Sequence, residues 1–83
     1  MKTGKIVDFR GSWSSGLGTL VLKVGKKFQE VPCENTMTVR ALDDMFGDVI
    51  APDHTIDVFA IRGREINFEV DGSGLLLSIG PVE

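Results

Sequence analysis

Apolar and polar residues alternate along most of this chain, a pattern that predicts short antiparallel strands joined by glycine turns. Lys5 to Arg10 reads as a strand, with Val7 and Phe9 on one face and Ile6, Asp8 and Arg10 on the other. Gly11-Ser12-Trp13-Ser14-Ser15-Gly16 has the composition of a loop. Leu17 to Val24 then resumes a strand, with Leu20, Leu22 and Val24 alternating against Thr19, Val21 and Lys23. Gly25-Lys26 makes a tight turn into a third strand, Lys27 to Val31, because glycine supplies the positive φ of such hairpins.

Pro32-Cys33-Glu34-Asn35 interrupts the alternation, and the period changes from two to near four. Thr36 or Thr38 is placed to cap a helix running to about Phe46, with Gly47 as its stop. Val39, Leu42, Met45 and Phe46 fall on one face of that helix, while Asp43 and Asp44 near its end oppose the helix dipole. Residues 48–54 read as a loop around Pro52-Asp53. Ile56 to Arg62 reads as a strand, Gly63 as a turn and Glu65 to Asp71 as the clearest strand, with Ile66, Phe68 and Val70 inward. Asp71-Gly72-Ser73-Gly74 turns the chain into a last strand through Leu75, Leu77 and Ile79, ended by Gly80-Pro81.

This order predicts an all-β fold: a small closed barrel of five to six antiparallel strands, OB-fold-like, with one short helix between the third and fourth strands. An SH3-like barrel is the alternative, since periodicity does not fix strand order. The predicted core is Ile6, Phe9, Leu20, Leu22, Phe28, Val39, Leu42, Phe46, Val58, Ile66, Phe68, Val70, Leu77 and Ile79. At 83 residues the chain is a single domain, residues 1–83, because two cores would each be too small to be stable.

The net charge of −3 conceals an asymmetry. Residues 1–40 carry +4 and residues 41–83 carry −7. Cys33 is the only cysteine, so no internal disulfide can form and no thiolate zinc cluster can be built. With Met1-Lys2-Thr3 leading straight into a strand pattern and no apolar run near the ~20 residues that span a bilayer, the expected location is cytoplasmic.

Gly4, Ile6 and Phe9, followed by Gly16, Gly18 and Leu20, have the spacing of a glycine-rich first hairpin. Over roughly the first quarter of the chain this resembles the cold-shock domains, a family of OB-fold proteins. The resemblance implies a barrel that binds single-stranded RNA or DNA on its first strands, where the family stacks bases on aromatic rings. The family's ring positions here are Asp8, Leu17 and Thr19, and its lysine before the glycine is Ser15. An aspartate on such a platform repels phosphate.

The nucleic-acid-binding candidates are therefore Trp13, as the one large ring near the hairpin, with Lys5, Arg10, Lys23, Lys26 and Lys27 supplying charge. Arg62 and Arg64, flanking Gly63 at an expected hairpin tip, are candidates for gripping an anion. Asp43, Asp44, Asp48, Asp53, His54 and Asp57 form an acid-rich stretch without the alternation of a calcium loop, so no metal ligands are assigned. Cys33 and His54 are the only thiol and imidazole, and neither lies in a catalytic motif. No catalytic residue and no cofactor is expected. The expectation is a non-catalytic binding module whose role the residues leave open, and for which the resemblance implies weak single-stranded nucleic-acid binding through the first hairpin. The competing class is a protein-interaction or oligomer-forming domain with opposed charged faces, and no membrane partner is expected.

Overall fold

The computed structural model describes residues 2–11, 16–52 and 56–82. Trp13, Asp53 and His54 lie outside the described residues. Five strands, β1 (Lys2–Arg10), β2 (Leu17–Val24), β3 (Lys27–Glu34), β4 (Glu65–Val70) and β5 (Leu76–Pro81), form one antiparallel sheet in the order β3-β2-β1-β4-β5. Helix α1 (Asn35–Phe46) lies between the third and fourth strands, as the sequence predicts, and a single turn of helix, α2 (Val58–Ile61), precedes β4.

The sheet curls without closing. Edge strands β3 and β5 approach one another but form no ladder. Each carries a proline, Pro32 and Pro81, which has no N–H to donate and belongs on an edge. The expected closed barrel is thus an open one, and its strand count is five.

The predicted break at Pro32 is not a break. β3 runs through Pro32 to Glu34, with Pro32 opposite Thr19, and the helix begins at once at Asn35. Neither threonine caps it. Glu34 is the capping residue and provides no side-chain bond, while the Thr38 hydroxyl donates to the Glu34 carbonyl at 2.8 Å. Gly47 does end the helix, at φ 72°, with its N–H on the Asp43 carbonyl at 2.8 Å. The Asp43 carboxylate, which the dipole argument leaves without a reason, accepts the Val49 N–H at 3.4 Å.

The expected strand from Ile56 to Arg62 is instead α2. Asp57 accepts the Phe59 N–H at 3.1 Å and so starts a helical turn, which Arg62 N–H closes on the Val58 carbonyl at 2.8 Å. Ile61 is thereby buried and Val58 only half-buried.

Two bulges explain further differences. In β1 the pairing passes from Ile6 opposite Leu22 to Asp8 opposite Val21, so Val7 is an extra residue. Ile6 and Phe9 therefore both enter the core, which strict alternation forbids. In β5, Leu76 pairs with Val70 and Ser78 with Glu69, so Leu77 is extra and turns outward at 56% exposure while Leu76 is buried.

The core holds Ile6, Phe9, Leu20, Leu22, Val39, Leu42, Ile66 and Phe68 as predicted, joined by Val31, Cys33, Val49, Ile61 and Leu76. Phe46, Val70 and Ile79 pack against it half-buried. Phe28 does not belong to it: 67% of this residue is exposed.

Candidate functional site

Strand alternation builds the outer face of β1, β2 and β3. On β3, Val31 and Cys33 point into the core, so Phe28, Glu30 and Pro32 point away from it. On β2, Leu20 and Leu22 are inward, leaving Thr19, Val21 and Lys23 outward. On β1, Gly4 and Ile6 are inward and Lys5 is outward. Gly4 allows that close packing, since a Cβ there would sit 3.2 Å from the Phe68 ring and 3.3 Å from Val24.

The registers then set these residues in rows. Glu65 stands opposite Lys5, Lys5 opposite Lys23, and Lys23 opposite Phe28. Among the described residues, neither lysine makes an ion pair. Beside them a shallow depression of about 260 Å³ is lined by Thr3, Gly4, Lys5, Lys23, Gly25 and Glu65. Two lysines and an exposed ring thus run side by side across three strands.

The next row is Asp8, Val21 and Glu30. Arg10 bonds Glu30 at 3.1 Å and lies 3.8 Å from Asp8, reaching from β1 to β3 across β2. Beneath that bridge Val21 is buried although it faces outward. Arg10 is therefore already engaged with acids.

The other sequence candidates go elsewhere. Lys26 sits in the β2–β3 turn, and Lys27 pairs with Val24, which places it on the opposite side of the sheet from Phe28. Arg62 and Arg64 flank Gly63 in the turn from α2 to β4, and they diverge. The Arg62 Nε donates to the Val7 carbonyl at 3.2 Å with the guanidinium 5.2 Å from the Phe59 ring, whereas Arg64 lies 5.2 Å from the Phe46 ring. Arg62 thus ties down the β1 bulge. No helix among the described residues is long and apolar enough to cross a membrane.

Cys33 is buried, and that burial pushes its thiol pKa up, outweighing the opposing influence of the nearby Thr38 hydroxyl and the Gly18 and Leu20 backbone. This is the environment of an inert thiol. Among the described residues, no three His, Cys, Asp or Glu gather as metal ligands, and Asp43 and Asp57 are occupied with the backbone groups already described.

The residue that sequence reasoning misses is Phe28. Its signal is present: Gln29, Val31 and Cys33 alternate against Phe28, Glu30 and Pro32, and the first set holds the two residues suited to a core. In comparisons with known proteins, no family model, no curated protein and no solved structure matches this chain.

Proposed function

We propose that this domain is a non-catalytic binding module that takes single-stranded nucleic acid on the outer face of β1 to β3. The observation that carries the reading is the row Phe28–Lys23–Lys5. It combines a ring open to stacking with two lysines that form no ion pair among the described residues. Base stacking on an exposed ring contributes about 1–3 kcal/mol, and lysines add affinity through counterion release. A five-stranded, partly open barrel is a form in which OB-like domains occur. The resemblance of the first hairpin to cold-shock domains points the same way, with Phe28 on β3 standing in for the rings absent from β1 and β2. The unpaired Cys33 suits a reducing, cytoplasmic setting.

A protein-interaction role is the second reading, favoured by the unpaired edges of β3 and β5 and by Leu77 exposed on one of them. One titration separates the two. Fluorescence anisotropy of labelled oligo-dT and oligo-rU twelve-mers should show weak binding that falls steeply with salt and is lost in Phe28→Ala. Binding that ignores both salt and Phe28, or association of the protein with itself while the oligonucleotides stay free, supports the second reading and sinks the first.

A further inference from the structure

The outer face has an attractive end and a repulsive end, and the boundary between them limits how much ligand it can hold. The argument rests on the nucleic-acid reading above. Phe28, Lys23 and Lys5 lie on β3, β2 and β1, so the attractive row runs across the strands rather than along them. Three strands at a spacing of about 4.8 Å make that row about 10 Å long. Its β4 end meets Glu65, a carboxylate.

Along the strands the row is bounded more sharply. Val21 lies two residues from Lys23, about 7 Å at the usual strand rise, and its row carries Asp8 and Glu30. Two carboxylates sharing one guanidinium leave a net negative charge there. At physiological salt the screening length is about 8 Å, so a phosphate beside Lys23 still senses that charge. The bridge also removes Arg10 as a phosphate ligand. The remaining open direction is toward the Gly25-Lys26 turn, where Lys26 adds positive charge.

We infer that the Asp8–Arg10–Glu30 bridge is an electrostatic stop that keeps the bound strand on the Phe28–Lys23–Lys5 row, whose length accommodates about three nucleotides. The estimate follows from a row of about 10 Å divided by the roughly 3.4 Å stacked spacing of a nucleic-acid strand. OB-fold sites generally take about 4–16 nucleotides, so this footprint falls below that range. The bridge is then a specificity element: it bars the strand from spreading onto the Asp8–Val21–Glu30 row, while Phe28, Lys23 and Lys5 hold the ligand and their row sets its length.

The test is a length series of fluorescein-labelled oligo-dT, from two to twelve nucleotides, against the wild-type protein and Asp8→Asn/Glu30→Gln. The amides keep the shape of the acids, and the side-chain amide introduced by Asp8→Asn retains an oxygen for the Phe9 N–H that Asp8 accepts at 2.9 Å. Amide NMR spectra establish that the variant is folded, and Glu30→Gln alone serves as the milder second variant. For the wild type, affinity rises to about three nucleotides and thereafter only in proportion to the number of registers, and a twelve-mer loads several copies. In the double variant Arg10 is released. Twelve-mer affinity then rises roughly tenfold, and the salt slope steepens by about 0.7, the increment for one more neutralised phosphate. Wild-type affinity per register that keeps climbing to six or more nucleotides overturns the stop, as does a length profile the variants leave unchanged. Wild-type protein that binds no oligonucleotide of any length overturns the nucleic-acid reading beneath it.

Discussion

Lys5 and Lys23 stand directly opposite one another on adjacent strands, and neither is in an ion pair among the described residues. Like charges at such a cross-strand pair destabilise a sheet. An anionic ligand laid over the pair removes the repulsion, so the same two side chains weaken the free fold and strengthen the complex.

That opposition predicts that Lys23→Glu stabilises the free protein while abolishing oligonucleotide binding. Turning a like-charge pair into an opposite-charge pair is worth a few tenths to about 1 kcal/mol. For a domain of this size that corresponds to a rise in Tm of up to several degrees. Thermal unfolding followed by circular dichroism measures the first effect and anisotropy the second. A drop in Tm would mean that Lys23 is held by a contact other than the one described.

Two phenylalanines separate function from folding. Phe28 is largely exposed, whereas Phe68 is fully buried. Phe28→Ala should cost about 1–3 kcal/mol of binding and leave urea unfolding nearly unchanged. Phe68→Ala should cost about 3–5 kcal/mol of stability. Equal losses of stability in both variants would return Phe28 to the core.

Gly18 is small because of Asn35. A Cβ at Gly18 would overlap the buried Asn35 Oδ1 and lie 2.8 Å from the Arg10 carbonyl oxygen. Gly18→Ala should therefore destabilise by about 1–3 kcal/mol. Asn35 Oδ1 has no hydrogen-bond partner among the described residues, so Asn35→Ala alone should be mild and should relieve part of the Gly18→Ala loss. A double-mutant cycle measures the coupling, and strict additivity would contradict the contact.

Burial raises the Cys33 thiol pKa above its ordinary value of 9.0. The unfolded thiol ionises first as pH rises, so the native state loses stability progressively from that value upward through the folded pKa. Urea midpoints measured from about pH 7 to about pH 10.5 should fall at the alkaline end, and less so in Cys33→Ala. Reaction with a thiol reagent at neutral pH should follow global unfolding, with no fast phase.

Much of the architecture is legible in the sequence because its signals are local. Gly25 and Gly47 mark turns that the backbone makes with positive φ, and the alternation of Ile66 and Phe68 with Asn67 and Glu69 sets one strand's inward face. What is not legible depends on insertion or competition. A period-two reading cannot foresee that Val7 and Leu77 are extra residues, yet each shifts the face of everything beyond it. At Ile56 to Arg62 strand propensity lost to the Asp57 side chain, which captured the Phe59 N–H and began a turn of helix. Gly18, read as part of a glycine-rich hairpin, is fixed by contact with a residue that follows it by seventeen positions. The site divides in the same way. Lys5 and Lys23 are found from charge alone, but their opposition, the loss of Arg10 to Glu30 and the exposure of Phe28 arise from register, which single-strand patterns do not contain.

The most direct test of the account is a two-dimensional amide NMR titration of the labelled protein with short oligo-dT and oligo-rU, at low and near-physiological salt. The account predicts shifts that centre on Lys5, Lys23 and Phe28, extend to Gly25 and Lys26, weaken with salt and spare Leu17, Thr19 and Cys33. Spectra that do not move, or shifts confined to β5 and the far end of β3, would contradict it.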